Sequence, residues 1–173
     1  YDWYLRPNAG YYFMQRAIAP LHIQLNLNDS AVVVVNRSYE ASENLSAEIK
    51  IFDLNGRIIF ENRKSVSIKA EDVQIVDKIA SLLKTANGIN FVHLNLYNND
   101  GKLISTNTYW MEKNHDYSAL QTMPKAKVSV KLISSGPLQT KSSKNGAAEW
   151  VYEIKNSSNQ IAFFLNPVLL DHN

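Results

Sequence analysis

The side chains able to do chemistry are few. Four histidines stand at His22, His93, His115 and His172, in a chain without cysteine. No two of them sit at i and i+4 on a helix, and no His-Glu-x-x-His pattern occurs, so nothing in the spacing builds a metal site. His22 and His93 fall on expected strands, opposite the apolar residues, and read as partly exposed strand histidines. The lack of cysteine excludes a disulfide framework, a thiolate zinc site and a thiol nucleophile. No Gly-x-Ser-x-Gly elbow marks a serine, and the six glycines are scattered rather than gathered into a phosphate cradle. Asp2, Asp29, Glu40, Asp53, Asp72, Asp77 and Asp100 lie in expected turns, loops or termini. Hydrolysis by paired carboxylates needs two of them flanking one bond. Turn aspartates ordinarily bond the nearby backbone instead, and that is the role expected for all but Asp2. The residues therefore assign no catalytic group, no metal and no cofactor. Tyr109, Trp110, Trp150 and Tyr152 could stack on a sugar, although an aromatic alternating along a strand is more often core. Asn36-Arg37-Ser38, Asn44-Leu45-Ser46 and Asn156-Ser157-Ser158 match the N-glycan acceptor pattern.

The elements that must carry these groups are mostly strands. Pro7 and Asn8 suit a helix start, and Tyr11, Met14 and Ile18 recur at helical spacing until Pro20. So short a helix cannot cover its aromatic neighbours and must dock on something. From Leu21 the period becomes two: Leu21, Ile23, Leu25 and Leu27 alternate with polar residues. Ala31 to Val35 holds four consecutive valines, which suit a pleated sheet. Further strands are expected at Leu45 to Phe52, Ile58 to Asn62 with an extension over Ser65 to Ile68, Phe91 to Tyr97, and Leu103 to Trp110. Asp53-Leu54-Asn55-Gly56 and Asn98-Asn99-Asp100-Gly101 are the turns between them. Glu71 to Asn87 reads either as a helix over Lys78 to Lys84 or as strand plus loop. Glu112 to Ser118 reads as a linker. Val128 to Leu132, Trp150 to Ile154 and Ile161 to Leu165 are expected strands, and Ser134 to Gly146 an expected loop.

Many short strands separated by turns predict an all-β fold, an immunoglobulin-like β-sandwich. The expected organisation is a helical remnant over 1–20, a sandwich over 21–113, and a linker with a partial second sandwich over 114–173. Unpaired strand edges in the last part are expected to pair with another copy or with further strands. Across 173 residues, 18 Lys and Arg against 16 Asp and Glu leave a net charge of +2 without the clustering of a nucleic-acid face. No apolar run approaches the roughly 20 residues of a membrane-spanning helix.

The opening run Tyr1-Asp2-Trp3-Tyr4-Leu5-Arg6-Pro7-Asn8-Ala9-Gly10-Tyr11-Tyr12 resembles the start of the last barrel helix in certain family 2 glycoside hydrolases. These are the exo-β-glucosaminidases and the β-mannosidase-like enzymes. The likeness continues through Pro20-Leu21-His22-Ile23-Gln24, Val32 to Asn36, Phe52-Asp53-Leu54, Asn107-Thr108-Tyr109-Trp110 and Asp116 to Leu120. Ala19 and Gln15-Arg16 depart from the family's usual Glu and Lys pair. The resemblance implies a secreted or periplasmic parent with a catalytic (β/α)8 barrel upstream and two C-terminal sandwich domains. No position here matches the family's acid/base or nucleophile motif. Tyr1 and Asp2 would approach the barrel's active-site rim, and Trp3, Tyr11 and Met14 would face the barrel. Its implied role is structural bracing; binding of polysaccharide through exposed aromatics is the alternative.

Overall fold

The computed structural model describes residues 8–137 and 148–165. The chain divides into two compact units, Tyr1–Thr122 and Met123–Asn173. The first opens with α1 (Ala9–Ala17), whose start is capped as expected: Asn8 Oδ1 accepts from the Tyr11 amide at 3.1 Å. Seven strands follow: β1 (Leu21–Asn26), β2 (Ala31–Asn36), β3 (Ser42–Phe52), β4 (Ile58–Ile68), β5 (Asp72–Lys78), β6 (Asn90–Tyr97) and β7 (Leu103–Met111). A short helix, α2 (Ala80–Thr85), joins β5 to β6. The strands form two antiparallel sheets, ordered β1-β2-β5 and β4-β3-β6-β7. This is the all-β, immunoglobulin-like sandwich that the strand pattern predicts.

Period-two patterning puts the core between the sheets. Ile23, Val32 and Val34 from one sheet meet Ile49, Val92 and Leu94 from the other, all fully buried. Each such side chain contributes roughly 1.5–3 kcal/mol by leaving water, so the core dominates the stability. The valine run of β2 breaks the alternation because β2 is buried on both faces: Ala31, Val33 and Val35 make a second, smaller cluster on the outside of the sheet. Two tight hairpins use one device. Asp53 Oδ1 accepts from the amides of Asn55 and Arg57, and Asn98 Oδ1 from those of Asp100 and Lys102. Gly56 and Gly101 supply the left-handed residue, at φ 81° and 74°.

Hydrogen bonds between the sheets lace both sides of the sandwich. On one side β7 lies over the free edge of β1. Asn107 Nδ2 donates to the Ile23 carbonyl at 2.7 Å, while the amides of Ile23 and Leu25 donate to Ser105 Oγ and Tyr109 Oη at 3.3 and 3.2 Å. On the other side β4 meets β5. Lys64 Nζ donates to the Val76 carbonyl at 3.0 Å and pairs with Asp77 at 3.1 Å, and Asn62 Nδ2 donates to Asp77 Oδ2 at 2.9 Å.

Several expectations change. β3 begins three residues earlier than expected, and the two pieces over 58–68 are one strand. The 71–87 stretch is both strand and helix: Val76 and Ile79 are buried on the inner side, which imitates a helical period, while Val73 and Ile75 point outward. His22 is buried, not partly exposed. Its Nδ1 lies 2.7 Å from the Ala19 carbonyl and its Nε2 3.3 Å from Gln24 Oε1, so the ring fastens the end of α1 to β1.

The second unit contains β8 (Val128–Pro137) paired antiparallel with β9 (Ala148–Asn156). β8 takes in Ser134 to Pro137, which read as loop, because that segment pairs with Ala148 to Val151; the rest of that expected loop, residues 138–146, lies outside the described residues. Residues 161–165 are not a strand: none of them pairs with β8 or β9.

Asn107→Ala leaves the Ile23 carbonyl buried without its donor, and should cost about 1–3 kcal/mol in urea unfolding. Thr106→Ala, on the outward face of the same strand, should stay within about 0.5 kcal/mol. Equal losses at the two positions would mean that the lacing at this edge carries no stability.

Candidate functional surfaces

The outward face of the four-stranded sheet carries a polar network around Glu48, a carboxylate that lies on a strand rather than in a turn. Its sequence signal was the Glu48-x-Lys50 alternation on β3 opposite Glu61 and Arg63 on β4. Lys50 Nζ lies 3.0 Å from Glu61 and 3.5 Å from Glu48. Glu48 Oε2 accepts from Asn95 Nδ2 at 3.0 Å and from the Tyr97 hydroxyl at 3.3 Å. Arg63 covers the Tyr97 ring at 4.9 Å and donates to Ser46 Oγ at 2.8 Å. Burial pushes the Glu48 carboxyl up, but Asn95, Lys50 and Tyr97 outweigh it and hold its pKa below the usual value. Asp77 follows the same logic: its bonds to Lys64, Asn62 and the Lys78 amide prevail over burial. A general acid at neutral pH needs the opposite shift. Neither carboxylate therefore suits proton donation, and among the described residues no three potential metal ligands come together.

Of the predicted aromatic set, the two rings on β7 do not share a surface. Tyr109 and Trp110 are neighbours on β7 and so face opposite sides of the sheet. Tyr109 packs against the core, with its hydroxyl accepting from Leu25; burial raises its pKa. Its ring is committed to the sandwich interior. Trp110 is half-buried on the outward side. Trp150 and Tyr152 share one face of β9 and are both exposed. On α1, Tyr11 and Met14 are exposed along with Tyr12, Phe13 and Ile18, and no residue of that helix is buried. Tyr1, Asp2 and Trp3 lie outside the described residues.

A cavity of about 210 Å³ opens between α2 and the end of β7, lined by Leu83, Lys84, Asn90, Met111 and His115 among others. That is below the roughly 300–1,000 Å³ of small-molecule pockets. Of the three Asn-x-Ser stretches, Asn36 is buried and both ends of its amide are bonded. Asn44 is exposed.

His93 sits in the same outward network, with Nδ1 2.9 Å from the Thr108 hydroxyl. Burial lowers its pKa, Lys50 adds to that, and Glu48 opposes it. The unfolded chain takes up this proton as the pH falls through about 6.5, while the folded chain resists it. The unfolded state then binds more protons, so stability falls as the pH drops below that point. Glu48 and Asp77 act lower, losing their contribution only as the pH falls through the carboxylate range. His93→Gln should flatten the slope of unfolding free energy against pH between roughly 5 and 7, measured by urea titration. An unchanged slope would refute this.

Residues 28–116 match the mannosidase Ig/CBM-like domain family, and residues 107–173 match the exo-β-D-glucosaminidase Ig-fold domain. The exo-β-D-glucosaminidase of Amycolatopsis orientalis is 30% identical over 120 residues, covering 67% of this chain and 11% of that protein. That of Arthroderma benhamiae is 24% identical over 190 residues, covering 99% and 20%. A mannosylglycoprotein endo-β-mannosidase of Lilium longiflorum is 27% identical over 138 residues, covering 78% and 14%. The chain thus spans a fifth or less of the length of these relatives. The crystal structure of the Amycolatopsis orientalis exo-chitosanase CsxA superposes with a TM-score of 0.75 over 91% of this chain and 20% of that one, at 22% identity, a likeness of fold. The chain belongs to the mannosidase Ig/CBM-like domain family, as its resemblance to the C-terminal sandwich region of family 2 glycoside hydrolases implied.

Proposed function

We propose that this chain is a non-catalytic accessory region of a secreted or periplasmic glycoside hydrolase, and that it braces a catalytic (β/α)8 barrel lying upstream. The observation that carries the reading is α1. It is capped and nine residues long, yet buries none of them. Isolated helices below about 12–15 residues are marginal in water, so α1 needs a partner surface. Its apolar residues recur at helical spacing, and the likeness of its sequence to a last barrel helix supports a barrel as that partner. The relatives are exo-β-glucosaminidases and an endo-β-mannosidase, which supports a parent cleaving β-glucosaminidic or β-mannosidic bonds.

A carbohydrate-binding role rests on Trp150 and Tyr152, two rings side by side on one face. Titration with chitosan or mannan oligosaccharides, followed by tryptophan fluorescence, decides it: no change at millimolar ligand ends that reading.

The isolated chain should turn over neither aryl β-glucosaminide nor aryl β-mannoside. Met14→Glu and Ile18→Glu should leave its own unfolding within about 0.5 kcal/mol, because both sites are exposed. The same changes should abolish its association with a separately expressed parent barrel. Hydrolysis by the isolated chain, or binding that survives both substitutions, would contradict the bracing role.

A further inference from the structure

The cavity of about 210 Å³ between α2 and the end of β7 is walled from three directions. Ala80, Leu83 and Lys84 line it from α2, at the i, i+3 and i+4 spacing that puts residues on one helix face. Asn90 and Met111, paired across β6 and β7, form a second wall. Lys113 and His115 come from the turn after β7. Leu83 and Met111 also pack against the sandwich core, which fixes the apolar part of the lining. The start of α2 is pinned to the β1–β2 turn, where the Ile79 amide donates to the Ser30 carbonyl at 3.1 Å. The turn after β7 is pinned by Glu112. Its Oε2 accepts from the amides of Asn114 and Asp116 at 2.5 and 3.0 Å, and its carbonyl from the His115 amide at 3.2 Å.

Two features of this lining are not explained by folding. The first is Asn90, which is only 3% exposed. Its Nδ2 donates to the Gly88 carbonyl at 3.0 Å, which settles the orientation of the amide, and its Oδ1 meets no donor among the described residues. A buried acceptor left unbonded is an exception in folded proteins, so its donor has to come from whatever fills the cavity. The second is charge. Lys84 and Lys113 are exposed and have no ion-pair partner among the described residues. Glu112, the one carboxylate in the lining, is committed to the two amides of its own turn. The cavity therefore offers an unused acceptor inside and unused cations at its edge.

We propose that this cavity binds a small hydroxylated carboxylate. A hydroxyl of the ligand donates to Asn90 Oδ1, and its carboxylate lies at Lys84 and Lys113, with the His115 ring as a further donor. Its carbon skeleton lies against Leu83 and Met111. The volume equals that of about seven waters at liquid density, too small for a drug-sized ligand but enough for one sugar acid or a hydroxy acid of similar bulk. No ring other than His115 lines the cavity, so it is distinct from the stacking pair Trp150 and Tyr152. A cationic amino sugar has the wrong charge for it. The proposal goes beyond the bracing role and stands or falls separately from it.

The probes are D-glucuronate, D-glucose as its neutral counterpart, and propionate as a carboxylate without hydroxyls. In an amide NMR titration of the 173-residue chain, millimolar D-glucuronate should shift the signals of α2, Asn90 and residues 111–116 saturably. D-glucose and propionate should each bind about 10-fold more weakly, or not at all. Lys84→Gln combined with Lys113→Gln should retain the fold, since both sites are exposed, and should weaken D-glucuronate binding about 10-fold at constant ionic strength. Asn90→Leu should erase the preference for D-glucuronate over propionate. Should that variant not fold, the lysine pair and the propionate comparison in the unaltered chain still decide. The proposal is overturned by the absence of a saturable shift, by shifts centred elsewhere, or by equal binding of D-glucose or propionate. Unchanged affinity in the lysine double variant overturns it as well.

Discussion

The first sandwich depends on what its outermost strands do with backbone groups that no neighbouring strand can pair. An open sheet ends in a row of free amides and carbonyls, and burying them unpaired costs about 1–3 kcal/mol each. Here the opposite sheet supplies the partners through side chains. Ser105, Asn107 and Tyr109 alternate along β7 and meet the Ile23 and Leu25 backbone of β1. Lys64 does the same for the Val76 carbonyl of β5. Apolar burial provides most of the free energy, but it is indifferent to direction. The lacing fixes which strand lies over which, and so closes the fold without a continuous barrel.

That division explains which parts of the fold could be read from sequence. Strands whose burial follows period two, such as Leu21 to Leu27 and Phe91 to Tyr97, announce themselves because one face is core and the other is not. The two Asx-Gly hairpins do so because few residue types satisfy them. Asn107 does not, since its partner is 84 residues away and nothing local marks it. His22 looks like a solvent-side residue by alternation, yet it is buried, with one ring nitrogen against the Ala19 carbonyl and the other against Gln24 of its own strand. Glu71 to Asn87 stayed ambiguous because Val76 and Ile79 are buried across the junction of a strand and a helix. Ile161, Phe163 and Leu165 alternate like a strand, but the backbone there does not form one, so alternation alone misleads.

The candidate surfaces were legible to a lesser degree. The absence of cysteine excluded thiol chemistry, the histidine spacing pointed to no metal site, and the family resemblance pointed to a structural role. The outward network of Glu48, Lys50, Asn95 and Tyr97 escaped notice because its members lie on three strands and meet only after the sheet forms. Conversely, Tyr109 and Trp110 look like one aromatic pair in sequence, and the pleat sends them to opposite sides. Among the described residues, α1 and the β8–β9 hairpin expose large apolar side chains and are elements too small to stand alone. Within the same described residues, the first unit is closed by lacing at both sides, while the side chains of β8 and β9 are exposed.

Amide hydrogen exchange on the 173-residue chain tests this account most directly, because it reads local stability strand by strand. The account predicts strong, cooperative protection across β2, β3 and β6, with β8 and β9 exchanging far faster in the same molecule. Equal protection of β9 and β6 in a monomer would contradict it, since a two-stranded hairpin with exposed side chains would then be as stable as the closed sandwich.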